Sequence, residues 1–288
     1  MESERCSPAY ACSFGGNLLT LEKPRIMGIV NCTPDSFYDG DPQGSEEERV
    51  ERGIRLWREG ADILDLGGQS TRPGARDVGP EEEWARIAPV LTGICQALPD
   101  VRISVDTYHP KVADRALSGG AGMVNDVQGL DHPAMWEVVA HHRASYVLMH
   151  MQGTPADMQD RPTYRDVVTD VYRDLGKSML RAREAGVGDL VLDVGFGFGK
   201  TARDNFQLLA HLATFKTLGA PLLVGVSRKS MIYKTLGSTP EQALNGTTAL
   251  HAWALERGAH LLRVHDVKEA RETLLLHSEL TRSQGANP

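Results

Sequence analysis

Eight times along this chain an apolar run ends in a polar residue and gives way to a loop and an amphipathic helix. The runs are Arg25–Val30 ending at Asn31, Ile63–Leu64 at Asp65, Ile103–Val105 at Asp106, and Met123–Val124 at Asn125. They continue with Tyr146–Met149 ending at His150, Leu190–Leu192 at Asp193, Leu222–Val226 at Ser227, and Leu261–Leu262 at Arg263. Eight strand–helix alternations predict an α/β protein, a closed (β/α)8 TIM barrel. Packing alone gives a buried strand no reason to end in Asn, Asp, His, Ser or Arg. Polar side chains gathered at one mouth of a barrel have a reason, because the strand ends are where barrels bind and react.

Length agrees, since such a barrel takes about 250 residues and the chain has 288. Residues 1–24 read as an N-terminal extension, with Asn17–Leu21 placed to form a short hairpin over one barrel end. Residues 25–280 read as the barrel and 281–288 as a tail. A net charge of −7 argues against nucleic acid as the main partner. Cys6, Cys12, Cys32 and Cys95 have no metal-binding spacing and read as reduced thiols. Met1–Arg5 has no basic and apolar signal-peptide pattern, and no apolar run reaches the roughly 20 residues of a membrane span. The expectation is a cytoplasmic protein.

Helical spacing recurs over Glu46–Glu59, Glu81–Ala97, Tyr164–Ala185, Asn205–Phe215, Glu241–Arg257 and Lys268–His277. His141, His142 and His251 fall in helices and read as structural or surface residues. Two connections, Cys32–Ser45 and Gly67–Gly79, exceed the usual barrel loop of about 2–6 residues, which marks them as binding loops.

Three groups of residues carry chemistry. Asp193–Thr201 (DVGFGFGKT) looks like a phosphate loop but fails the pattern, because Val194 stands where a glycine is required. Its glycines are expected to let backbone approach a flat ligand, with Phe198 free to stack. Asp106, Asn125 and Asp193 end three different strands, and their acceptors, with a donor from Lys229, suit the edge of a planar heterocycle. Arg263, His265 and Arg72, with the amide of Asn31, suit a phosphate group carrying magnesium.

Met27–Phe37 (MGIVNCTPDSF) and Asp65–Gly74 (DLGGQSTRPG) resemble the first two signatures of the dihydropteroate synthases. Ser104–Thr107, Val124–Asp126, Leu148–Met151, Gly197–Lys200, Ser227–Ser230 and Arg263–Asp266 follow in that family's order. The resemblance implies condensation of hydroxymethyl-dihydropterin pyrophosphate with para-aminobenzoate. The products are dihydropteroate and pyrophosphate, a folate-biosynthetic step inhibited by sulfonamides. It further implies that Asp106, Asn125, Asp193 and Lys229 hold the pterin, with Met149 and Phe198 against its faces. Asn31, Thr71, Arg72, Arg263 and His265 would hold the pyrophosphate, Asn31 as a ligand of Mg2+. Phe37, Pro73 and Ser230 would border the para-aminobenzoate pocket, with Ser230 opening a helix. A homodimer is implied by the same resemblance, while the apolar residues of the last two helices, Leu250 and Trp253 among them, read as barrel packing, with a dimer surface as the alternative.

The chain departs from the family pattern at Gln69 (usually Glu), Val194 (usually Pro) and Cys32 (usually Val). None of these removes a group the chemistry needs. The expected path is SN1-like. Arg72, Arg263 and His265 receive the leaving group's charge, Asp35 faces the pterin cation, and the neutral arylamine attacks without a general base. Two other readings are a methyltetrahydrofolate methyltransferase, in which the cationic set would be idle, and a non-catalytic pterin-binding relative.

Overall fold

Strand, turn and helix alternate as the sequence pattern requires, and the strands close on one another. The structure is a computed structural model that describes residues 10–33, 45–69, 78–153, 158 and 163–285. A hairpin of β1 (Ala11–Phe14) and β2 (Asn17–Thr20) comes first. The barrel strands are β3 (Arg25–Asn31), β4 (Ile63–Gly67), β5 (Ile103–Asp106), β6 (Met123–Asp126), β7 (Ser145–Met149), β8 (Asp189–Asp193), β9 (Leu222–Val224) and β10 (Leu261–Val264). All eight pair in parallel, in the closed order β10-β3-β4-β5-β6-β7-β8-β9. Around them lie α1 (Glu46–Arg58), α2 (Pro80–Ala97), α3 (Pro110–Ser118), α4 (Pro133–His142), α5 (Val167–Glu184), α6 (Ala202–Ala210), α7 (Ser230–Tyr233), α8 (Leu244–Glu256) and α9 (Val267–Gly285).

Local signals set the helix starts. Ser45 and Glu48 form a reciprocal capping box at α1, and Thr201 and Asp204 another at α6. Proline opens α2, α3 and α4, where its missing N–H costs nothing. Outward strand residues such as Ile26, Leu64, Val124, Leu148 and Leu192 pack under the helices. Inward ones alternate with them, and Met27, Ile63, Met123, Val147, Val191, Leu223 and Leu261 fill the lower barrel.

The hairpin closes that lower end, as expected, with Cys12, Phe14, Leu19 and Leu21 in the same apolar cluster. Ser13 anchors it, its N–H donating to Ser145 Oγ at 2.9 Å and to Asp189 Oδ2 at 3.1 Å. Gly122 is required beneath it, because a Cβ there would lie 2.6 Å from Phe14 Cα.

Several boundaries differ from the sequence pattern, among them these. The second run continues through Asp65 to Gly67, because Asp65 points to polar partners inside the barrel. The seventh strand stops at Val224, since the chain turns at Val226, whose carbonyl accepts from Lys229 N at 3.1 Å. The last helix runs on to Gly285, so the boundary placed at 280 falls within it.

Candidate active site

Register places the expected polar groups in rows around the mouth. Asn31, Gly67, Asp106 and Asn125 stand side by side on β3 to β6. Met149 and Asp193 stand side by side on β7 and β8. Convergence is clearest at Gly225, just beyond β9. A Cβ built there would lie 3.9 Å from both Lys229 Nζ and Arg263 Cβ, and 4.0 Å from Asp193 Oδ2. The Asp193 carboxylate and the Lys229 amine therefore meet at one point beside the stem of Arg263, left open by the absence of a side chain.

Each group is oriented by a partner. Asp193 Oδ1 accepts the N–H of Gly195 at 2.7 Å, which leaves Oδ2 as its acceptor for a ligand. Burial pushes the Asp193 carboxyl up, against the opposing pull of Lys229. Lys229 Nζ donates to the carbonyl of Phe196 and sits 4.6 Å from the ring centroid of Phe198. Burial brings Lys229 down to about 8, with Asp193 resisting and Arg263 assisting. Met149 and the partly exposed Phe198 belong to one small apolar cluster with Val127, Met151 and Met158, a greasy wall at the mouth.

Arg263 differs from the expectation of a pyrophosphate ligand alone. Its Nε donates to Asp65 Oδ2 and its Nη2 to Asp106 Oδ2, both at 2.6 Å. Burial opposes this cation, but Asp65 and Asp106 more than offset it and raise its pKa. Asp106 is pushed up to about 7 by burial, with Asp65 and Glu83 adding to the shift and Arg263 opposing it. Arg263 thus spans the heterocycle side and the cationic side of the mouth, with Nη1 outside both ion pairs.

His265 follows β10. Its Nδ1 lies 3.0 Å from Ser227 Oγ, and its backbone N donates to the same oxygen at 3.2 Å. Ser227 Oγ thus fixes both the backbone and the ring of His265. Asn31 is half-buried at the end of β3. Ser230 does open a helix, but α7 is a single turn. Asp35, Phe37, Thr71, Arg72 and Pro73 lie outside the described residues.

Sequence reasoning missed the supports. Lys200 reads as a loop lysine but is buried, donating to the carbonyls of His150, Gly195 and Phe198 and to His150 Nδ1 at 2.9–3.1 Å. It staples the glycine loop to the end of β7. The glycines serve that packing. Gly195 has φ +71, and a Cβ on it would strike the His150 carbonyl. Arg228 adopts φ +52. It is fixed by a two-pronged bond to Asp266 at 2.7 and 2.6 Å and by the carbonyls of Pro240 and Glu241. That clamp joins the loops after β9 and β10 and aims Lys229. The adjacent Ser-Arg-Lys-Ser and Arg-Val-His-Asp segments were the one signal for it.

The pattern of the family described as "Pterin binding enzyme" matches residues 27–265, and the chain belongs to that family. Dihydropteroate synthase of Escherichia coli (strain K12) is 44% identical over 261 residues, covering 90% of this chain and 92% of the relative. The solved dihydropteroate synthase of Xanthomonas albilineans with 4-aminobenzoic acid superposes with a TM-score of 0.89 at 45% identity. That match covers 97% of this chain and 100% of that one. The same enzyme in complex with 7,8-dihydropteroate gives 0.85 at 42% identity, over 96% and 100% of the chains. Within the pterin-binding enzymes this chain is therefore a transferase of the dihydropteroate synthase kind.

Proposed function

We propose that the mouth binds hydroxymethyl-dihydropterin pyrophosphate and para-aminobenzoate and joins them by an SN1-like path. The observation that carries this is the convergence of Asp193 Oδ2 and Lys229 Nζ on the open point at Gly225, beside the stem of Arg263. Asp193 and Asn125 hold the donor edge of the pterin, Asp106 its other side, and Lys229 a ring oxygen or nitrogen. Met149 and Phe198 exclude water from the ring faces.

Cleavage breaks the bond between the exocyclic carbon and the diphosphate oxygen, and the electron pair leaves with the diphosphate. Arg263 and His265 are assigned to receive that charge. The carbon's positive charge spreads into the pterin, with Asp35 assigned to face it. The arylamine nitrogen then forms the new C–N bond and afterwards loses a proton to water or to the departing diphosphate. Thr71 and Arg72 complete the pyrophosphate site, while Phe37, Pro73 and Ser230 border the para-aminobenzoate.

For Mg2+, the donor set fits. No three His, Cys, Asp or Glu side chains gather as a cage among the described residues. Asn31 offers one hard oxygen, as suits an ion that keeps waters and phosphate oxygens as its other ligands. When bound, magnesium would offset the negative charge of the diphosphate.

A homodimer fits the exposed Trp253 on α8 and Leu275, Leu276 and Leu280 on α9. These two helices pack together and present large apolar side chains outward. A cytoplasmic location fits the free thiols of Cys12, Cys32 and Cys95. The test is purified protein with both substrates and magnesium. Pyrophosphate release matched by dihydropteroate formation is expected, and absence of both would overturn the reading.

A further inference from the structure

Asp65 is fully buried on β4 and bonds two ligand-facing residues from opposite sides of the barrel. One oxygen does both jobs. Asp65 Oδ2 accepts from Arg263 Nε at 2.6 Å and from Asn125 Nδ2 at 3.0 Å. Oδ1 has no hydrogen-bond partner among the described residues. A carboxylate paired with a guanidinium only accepts. The side of Asn125 that faces it must therefore be the NH2, which leaves the carbonyl Oδ1 as the atom available to a ligand.

We infer that Asp65 is a positioning residue for substrate selection. It locks the Asn125 amide so that its oxygen joins Asp193 Oδ2 in presenting two acceptors. Two acceptors select a ring edge made of donors, such as the 2-amino group and adjacent ring N–H of a pterin. They reject a ring bearing a 2-oxo group, which would set acceptor against acceptor. An unanchored amide would rotate and supply a donor to the 2-oxo ring, so discrimination depends on a residue that touches no ligand. This inference rests on the proposed pterin site and assigns the origin of its selectivity.

The test compares 6-hydroxymethylpterin with its 2-oxo counterpart by calorimetry on the full chain. Unaltered protein should prefer the pterin by about 10- to 100-fold, the scale of one unpaired buried polar group. Asp65→Ala should cut that ratio by about tenfold or more as the amide gains freedom. Asp65→Asn should retain it, because one amide oxygen can still take both donors. A merely structural role would weaken both ligands together and leave the ratio unchanged in Asp65→Ala, which would overturn the inference. So would loss of the ratio in Asp65→Asn, since charge rather than the shared oxygen would then be responsible.

If Asp65→Ala does not fold, neutron diffraction of the unaltered protein decides. Deuterium on the Asn125 atom facing Asp65 supports the assignment, and carbonyl oxygen there refutes it. Failure of the unaltered protein to bind either ring sinks the pterin site itself, a result distinct from binding without the selectivity pattern.

Discussion

Replacing Lys200 by methionine should change how stability depends on pH, in a direction fixed by burial. The ammonium is enclosed by His150, Gly195 and Phe198. Burial brings it from 10.5 down to about 7, although Asp193 favours its charged form. An unfolded lysine keeps its proton up to about 10.4. Between these values the unfolded chain holds a proton that the folded chain has released. Raising the pH across that window therefore favours folding, and lowering it toward 7 withdraws the benefit. Methionine fills similar volume and cannot titrate, so subtracting the variant's stability isolates Lys200 together with the groups that sense its charge, Asp193 and His150 among them. The difference should grow by about 2 kcal/mol from pH 7 to pH 9, approaching about 1.4 kcal/mol per pH unit. Urea denaturation of both proteins at several pH values measures it. A difference that stays flat, or shrinks as pH rises, would refute the argument that the buried amine loses its proton near neutrality.

Asp193→Asn should weaken pterin binding by about 1–3 kcal/mol in calorimetry, by setting an amide donor against ring donors, with little change in melting temperature. Arg228→Gly should be more stable than Arg228→Ala by about 1 kcal/mol, although both lose the Asp266 clamp, because only glycine accepts φ +52 without strain. Chemical denaturation reads that difference, and equal stabilities would mean the backbone there is unstrained. Leu276→Glu with Leu280→Glu should convert the proposed dimer to monomer in sedimentation, since charges would replace two exposed apolar side chains of α9. Gln69→Glu should preserve activity. Gln69 Nε2 donates to the Tyr108 hydroxyl at 2.5 Å, and that hydroxyl can donate instead when it faces a carboxylate.

The barrel was legible because its signals are local and periodic. An apolar run ending in Asp106 or Asn125 reports both a buried strand and a polar mouth; Asp106 ends its strand as expected, and Asn125 lies one residue before the end of its own. What escaped was every group whose role depends on a partner distant in sequence. Asp65 was visible as a strand end, but its meaning comes from Arg263, 198 residues away, and no spacing rule links the two. Lys200 was hidden because lysine after a glycine loop ordinarily points to water, and only the enclosing carbonyls make it a staple. Arg228 and Asp266 each carry an ordinary surface charge until the closed strand order sets β9 beside β10. The division has a physical cause. Groups that face a ligand sit where the strand pattern ends, so periodicity points at them. Groups that aim those ligand-facing side chains act through single hydrogen bonds across the barrel. Such bonds exist only after closure, and they set which way each exposed donor or acceptor points. Substrate selectivity in this protein therefore depends on contacts that no local stretch of its sequence encodes.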